Sequence, residues 1–211
     1  MLKKFAKNSL FALSLVVAAT FNSAQAAEPT GYELVSPVQP TRDVNKVEVI
    51  EFFWYGCPHC FDFEPTLAKW VKNLPKNVEF IRQPAVFSDL WGKHAKAYYT
   101  AEALGVVDKV HQDFFEAIQI KKENLETEAQ LAKFFAAHGV NEVDFKAAYG
   151  SFLVDTKVRQ AAQLAAKYGI SGVPAIVING KYKTSGPVAG SHEKMIEVMN
   201  RLIEQESAVK K

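Results

Sequence analysis

Cys57 and Cys60 are the only cysteines in the 211-residue chain, and they stand three apart with Pro58 and His59 between them. That spacing admits three kinds of chemistry. The pair can be half of a tetrahedral zinc site, but such a site wants four N/S ligands, so His59 and a distant histidine would have to complete it. It can be a purely structural bridge, although a four-residue loop removes little entropy from the unfolded chain. It can also be a small disulfide ring that opens and closes by exchange, the reading this spacing favours, with no metal and no cofactor beyond the pair itself.

The elements that must position the pair can be read from the flanking residues. Val47 to Tyr55 is apolar on both alternating faces, with Val49 and Phe53 on one and Ile50, Phe52 and Trp54 on the other, as expected of a central strand covered on both sides. It runs into a turn, and Cys57 to Leu74 then reads as a helix with Leu67, Trp70, Val71 and Leu74 at helical spacing and a kink expected at Pro65. Cys57 therefore falls at the helix start, where unpaired N–H groups and the dipole favour an anion. The dipole contributes up to about 2 kcal/mol, about 1.5 pKa units, toward a Cys57 thiolate. A larger shift needs direct N–H···S contacts or a nearby cation. Pro58 is tolerated in the first turn, where its missing N–H is not needed. His59 can supply a cation when protonated or a hydrogen bond when neutral.

After a strand over Asn77 to Phe87 the character changes, and residues 88–168 carry only helical signals. Helices are expected over Asp89–Leu104 and Asp108–Ile118, from the capping box Thr127-x-x-Gln130 to Gly139, from Asn141 to Tyr149, and from Ser151 to Gly169. The aromatics Tyr98, Tyr99, Phe114, Phe115, Phe134, Phe135 and Phe145 read as the core of this bundle. His94, His111 and His138 lack metal-ligand spacing and read as surface or satisfied histidines. Strands return at Ala175–Ile178 and Lys181–Ser185, joined by the hairpin signal Asn179-Gly180. Ser191 caps a last helix, with a frayed tail from Ser207. Tyr32 to Val35 is a candidate edge strand. The order describes one α/β sheet domain interrupted by a helical insertion: 27–87 and 169–211 form the sheet domain, and 88–168 the insert.

Glu51-Phe52-Phe53, Cys57-Pro58-His59-Cys60 and the distant Gly172-Val173-Pro174-Ala175 together resemble the DsbA family of thiol oxidases, along the whole chain after the leader. The resemblance implies a thioredoxin-like fold with an all-helical insertion. It implies a thiol:disulfide oxidoreductase that introduces disulfides into exported proteins, with Cys60 as the partner that resolves mixed disulfides. It implies a cis proline at Val173-Pro174 packed against the disulfide, where the Val173 backbone pairs with an extended substrate strand; a trans proline that only stiffens the loop is the alternative. For Glu51 it implies a buried acid that relays protons for Cys60, against a plainer reading as a strand-end charge that reaches solvent or pairs with Arg82. It implies reoxidation by a DsbB-like, quinone-linked membrane protein. Rival functions stay open: a reductase or isomerase on the same fold, or a metal carrier or peptide-binding chaperone.

The first 26 residues read as a signal peptide: Lys3, Lys4 and Lys7, an apolar stretch from Leu10 to Phe21, and the cleavage site Ala24-Gln25-Ala26. That run is short for a membrane span of about 20 residues. Export, here to the periplasm of a Gram-negative cell, implies an oxidising compartment in which disulfides persist. Removing the three leader lysines turns 25 basic residues against 23 acidic into 22 against 23, so nothing points to nucleic acid. A monomer acting on reduced or unfolded exported proteins is the expectation.

Overall fold

The structure is a computed structural model and describes residues 31–209. The expected signal peptide lies outside the described residues. Five strands form one sheet in the order β1-β5-β4-β2-β3: β1 (Glu33–Leu34), β2 (Val47–Phe53), β3 (Val78–Pro84), β4 (Ala175–Ile178) and β5 (Tyr182–Ser185). β2 pairs parallel with β3, and the other pairings are antiparallel. Helix α1 (Pro58–Val71) makes the crossover from β2 to β3. Five helices then intervene before β4: α2 (Asp89–Ala103), α3 (Val107–Gln119), α4 (Glu128–Ala137), α5 (Glu142–Tyr149) and α6 (Phe152–Lys167). The short α7 (Gly186–Ala189) and the long α8 (His192–Val209) follow the hairpin.

β2 is buried at every position, which is why its apolar residues fall on both faces rather than one. Val47 and Val49 meet Phe63 and Leu67 of α1 and Met195, Met199 and Leu202 of α8. Ile50 and Phe52 face the other way, against Ala165, Tyr168 and Ile170. The seven aromatics expected in the helical core are all buried, and they share one apolar cluster with Phe53, Tyr55, Cys57 and Cys60. The helices thus form a wall of the cysteine site as well as a core of their own.

Local signals act as expected at most junctions. Thr127 and Gln130 close a capping box, while Asn141 and Ser151 accept from the N–H groups of Asp144 and Val154. Asn179 and Gly180 both take positive φ, as a two-residue hairpin turn demands. A side chain at Gly180 would also strike the Gln39 carbonyl, 2.0 Å from where its Cβ would lie.

Three expectations change. β2 ends at Phe53, so Trp54 leaves the strand alternation and stacks on Trp91 at 4.2 Å. β3 stops at Pro84, which cannot donate to a ladder. The tail remains helical to Val209, held by buried Glu206, which accepts from Asn179 and Lys181, and by Ser207, which accepts from Asn77 at 2.9 Å. The helix α7 was not foreseen; Pro187 fits its first turn, and Gly190 ends it at φ 102°.

Candidate active site

The end of β2 delivers the chain to α1 through Trp54, Tyr55 and Gly56. Gly56 is required by close approach: a Cβ there would lie 2.3 Å from the Trp54 ring. The Trp54 carbonyl accepts from the Cys57 N–H at 2.9 Å, which turns Cys57 into the N-cap of α1. Both cysteines are free thiols, Cys60 wholly buried and Cys57 at 9 % exposure.

The Cys57 sulfur takes the place of a capping oxygen, accepting from the Cys60 N–H at 3.4 Å. The Cys60 thiol is the largest influence drawing the Cys57 pKa down to about 6; burial opposes, and the N–H groups of Cys60 and His59 and the His59 charge add to the lowering. Cys60 has the reverse environment. Burial, then the neighbouring Cys57 sulfur, push its thiol far above the ordinary range. The direct N–H···S contacts were anticipated; the leading part of the Cys60 thiol was not, because it depends on the rotamers of both side chains.

Val173 and Pro174 are joined by a cis peptide bond. The Val173 carbonyl accepts from the Cys57 thiol at 3.4 Å. Pro58 and His59 are exposed beside the pair. A groove of about 780 Å³ runs from His59 along Gly172, Val173 and Pro174 to Ser185 and His192. Cys57, Cys60, Pro58, His59, Val173 and Pro174 are therefore gathered at one end of the sheet. Among the described residues, no group of three His, Cys, Asp or Glu side chains is arranged to hold a metal ion.

Glu51 lies within β2 at 1 % exposure, close enough that its charge would oppose a Cys60 thiolate. Its two readings meet: it is buried, and it also faces Arg82, with Arg82 Nε 3.5 Å from Glu51 Oε2. Burial first, then the nearby Glu64 carboxylate, raise the Glu51 pKa to about 8 against the pull of Arg82.

Glu64 was missed in the sequence. It stands one helical turn beyond Cys60 on α1, buried, and its Oε1 accepts from Arg82. Burial works to raise its pKa, but His111 and Arg82 outweigh it and hold the carboxyl below its ordinary value. The signal available was spacing: an acid four residues after Cys60 and one after Phe63 shares their buried face. His111 and Tyr55 were missed as well. The Tyr55 hydroxyl lies 2.8 Å from His111 Nδ1, and His111 Nε2 lies 3.5 Å from Glu64 Oε2. No sequence signal links them, since 47 residues separate Glu64 from His111.

A mixed sheet with α1 springing from its inner strand β2, a dithiol at that helix's start and a cis-proline loop facing it define a thioredoxin-like dithiol protein. Comparison with known proteins is specific. A profile described as the DSBA-like thioredoxin domain matches residues 88–193. The thiol:disulfide interchange protein DsbA of Pseudomonas syringae pv. tomato is 44% identical, over 97% of this chain and 98% of its own. The crystal structure of Pseudomonas aeruginosa DsbA superposes with a TM-score of 0.82 at 40% identity, covering 86% of this chain and 95% of that one. A Proteus DsbA solved with a non-covalently bound peptide superposes at 0.70, with 29% identity and 86% and 98% coverage. The chain belongs to the DsbA family, and its activity is thiol:disulfide exchange.

Proposed function

We propose that this exchange runs in the oxidising direction, placing disulfides into exported proteins through the Cys57–Cys60 pair with no other cofactor. The observation that carries it is the asymmetry of the two sulfurs: a stabilised anion at Cys57, with a pKa drawn to about 6, beside a Cys60 that resists ionisation. The more stable the departing thiolate, the more oxidising its disulfide.

A substrate thiolate attacks the Cys57 sulfur of the oxidised pair. The Cys57–Cys60 bond breaks, a Cys57–substrate disulfide forms, and Cys60 leaves and takes up a proton. A second substrate thiolate attacks the substrate sulfur of that mixed disulfide, and Cys57 departs as a thiolate. The substrate has lost two electrons and the pair has gained them. Cys57 is the exchanging sulfur and Cys60 the resolving one; Pro58 and His59 shape the thiolate's surroundings; Glu51 supplies the proton for Cys60. Val173 and Pro174 form the substrate ledge, where main-chain pairing accepts an extended segment whatever its side chains. The peptide bound to the Proteus relative supports a polypeptide substrate.

The reduced pair needs an external oxidant, and a DsbB-like membrane protein linked to quinone fits that need. The leader pattern and the family support a periplasmic location, with a monomer as part of the proposal, and no helix among the described residues is long and apolar enough to cross a membrane. The test is oxidation of a reduced, unfolded substrate by stoichiometric oxidised protein. The wild type is expected to form substrate disulfides and Cys57→Ser none; oxidation retained by Cys57→Ser overturns the assignment.

A further inference from the structure

Behind Cys60 lies a buried polar chain with two arms on Arg82. One arm is Glu51, facing Arg82 Nε at 3.5 Å. The other runs from Arg82 to Glu64, on to His111 at 3.5 Å, and ends at the Tyr55 hydroxyl, 2.8 Å from His111 Nδ1. Glu51, Tyr55, Glu64 and His111 are all at 5 % exposure or less. Phe53, Tyr55, Tyr98 and Phe115 pack around the His111 ring, so water does not flood this arm.

We infer that His111 and Tyr55 are positioning residues for the exchange reaction: they hold Glu64 as the anion that pairs with Arg82, and so leave the chain's one transferable proton on Glu51, beside Cys60.

The hydrogen-bond inventory fixes the direction of the arm. Glu64 accepts only, so the nitrogen facing it must carry hydrogen; in a neutral imidazole the other nitrogen, Nδ1, must then accept. The Tyr55 hydroxyl is placed to donate to it, and burial keeps that phenol protonated. Tyr55 thereby selects the tautomer whose N–H points at Glu64, an electrostatic contact at 3.5 Å. The ionisable groups around His111 are Glu64 from α1, Arg82 from β3, Tyr98 from α2, Tyr55 from the β2–α1 turn and Asp108 from its own helix. Two carboxylates share one guanidinium, and their repulsion means that one holds a proton. Glu64 accepts a hydrogen bond from Arg82 and also has the His111 N–H facing it at 3.5 Å, whereas Glu51 Oε2 meets Arg82 only at 3.5 Å, so the proton resides on Glu51. When substrate thiolate opens the Cys57–Cys60 bond, the proton passes from the Glu51 carboxyl to the Cys60 sulfur, leaving a Glu51 carboxylate against Arg82; a proton from solvent later restores it.

This inference rests on the exchange reading above, and its test separates the two. The rate at which glutathione reduces the oxidised protein is measured from pH 5 to 10 and divided by the glutathione thiolate fraction. For the wild type the corrected rate is expected to fall with a midpoint near pH 8, where Glu51 loses its proton. In His111→Phe, Glu64 loses its second partner and takes the proton, so the midpoint drops by about one pH unit, a shift of the size set by one lost charge-assisted contact. Tyr55→Phe, which removes a single hydroxyl and keeps the ring packing, shifts it the same way by less. His111→Gln, able to donate to Glu64 and accept from Tyr55 but not to titrate, restores the wild-type midpoint. An unmoved midpoint in both Phe variants overturns the inference, and so does a His111→Gln profile that matches His111→Phe. Should His111→Phe not fold, Tyr55→Phe against His111→Gln decides. A wild type that does not exchange at all overturns the proposed function instead.

Discussion

Cys57 and Cys60 are three residues apart at the start of one helix, yet their surroundings push their thiols in opposite directions. Around Cys57 the partners are the Cys60 thiol, backbone N–H groups at the start of α1, the Val173 carbonyl and the exposed His59, and both His59 and Val173 line a groove. Around Cys60 they are aromatic rings and, through Glu51, a network of ionisable side chains that joins Glu51 and Glu64 to Arg82. The open side adds fixed backbone dipoles, which stabilise charge without titrating, to the Cys60 thiol that contributes most to the lowering. The closed side uses side chains that titrate, because burial is what allows one carboxyl to hold a proton near neutral pH. One side thus supplies a good leaving group and the other a proton donor.

The comparison breaks most visibly at the sulfurs. Cys60→Ala removes the resolving thiol and leaves Cys57 exposed to substrate. Given a substrate in its disulfide form, the Cys57 thiolate attacks one sulfur and expels the other as a thiolate, and the mixed disulfide is expected to accumulate, seen as thiol-sensitive adducts on non-reducing gels. A variant that forms no adduct would mean that Cys57 is not the sulfur substrate reaches.

The next largest effect lies on the closed side. Glu64→Gln leaves Arg82 without its main anion and is expected to cost about 3 kcal/mol at pH 6, as broken buried pairs do. The cost is smaller at pH 8, because without the Glu64 charge that helps raise its pKa Glu51 ionises in the variant below pH 8 and takes over the pairing. Denaturant unfolding at the two pH values checks this, and equal costs at both contradict the shared proton.

Titration sharpens the contrast further. The folded Cys57 pKa, about 6, is below its ordinary value of 9.0, so its contribution to stability is fully present above 9 and is lost as pH falls through 6. The folded Glu51 pKa, about 8, is above its ordinary 4.5, so its contribution is full below 4.5 and is lost as pH rises through 8. The oxidised protein has no Cys57 thiol to titrate. Between pH 6 and 9 the reduced form should therefore gain on the oxidised form by up to about 1.4 kcal/mol per pH unit. Parallel unfolding curves for the two forms across that range measure the slope; a flat difference contradicts the stabilised thiolate. The smallest effect belongs to His59, whose charge is the weakest of the influences on Cys57. His59→Ala should raise the Cys57 pKa by less than about one unit, read from thiolate absorbance at 240 nm.

The open side was largely legible in the sequence. Cys57 follows an apolar strand and precedes a helical pattern, so its place at a helix start came from local periodicity, and Val173-Pro174 came from a resemblance carried by adjacent residues. The closed side was not. Glu51 stood out because a charge in a buried strand needs an explanation. Glu64 was hidden in a helix whose polar residues mostly face solvent, and His111 is bound to its partners by packing between elements far apart in the chain. Trp54 was misplaced for a related reason: alternation cannot show where a strand ends when the next side chain is still apolar.

The most direct test of the stabilised Cys57 thiolate is the equilibrium of the Cys57–Cys60 disulfide against a glutathione redox series, followed by Trp54 fluorescence or thiol trapping. The pair is expected to stay reduced in buffers well to the oxidising side of roughly −200 mV. A pair that stays oxidised until the buffer approaches about −270 mV would contradict the account and make the protein a reductant built on the same fold.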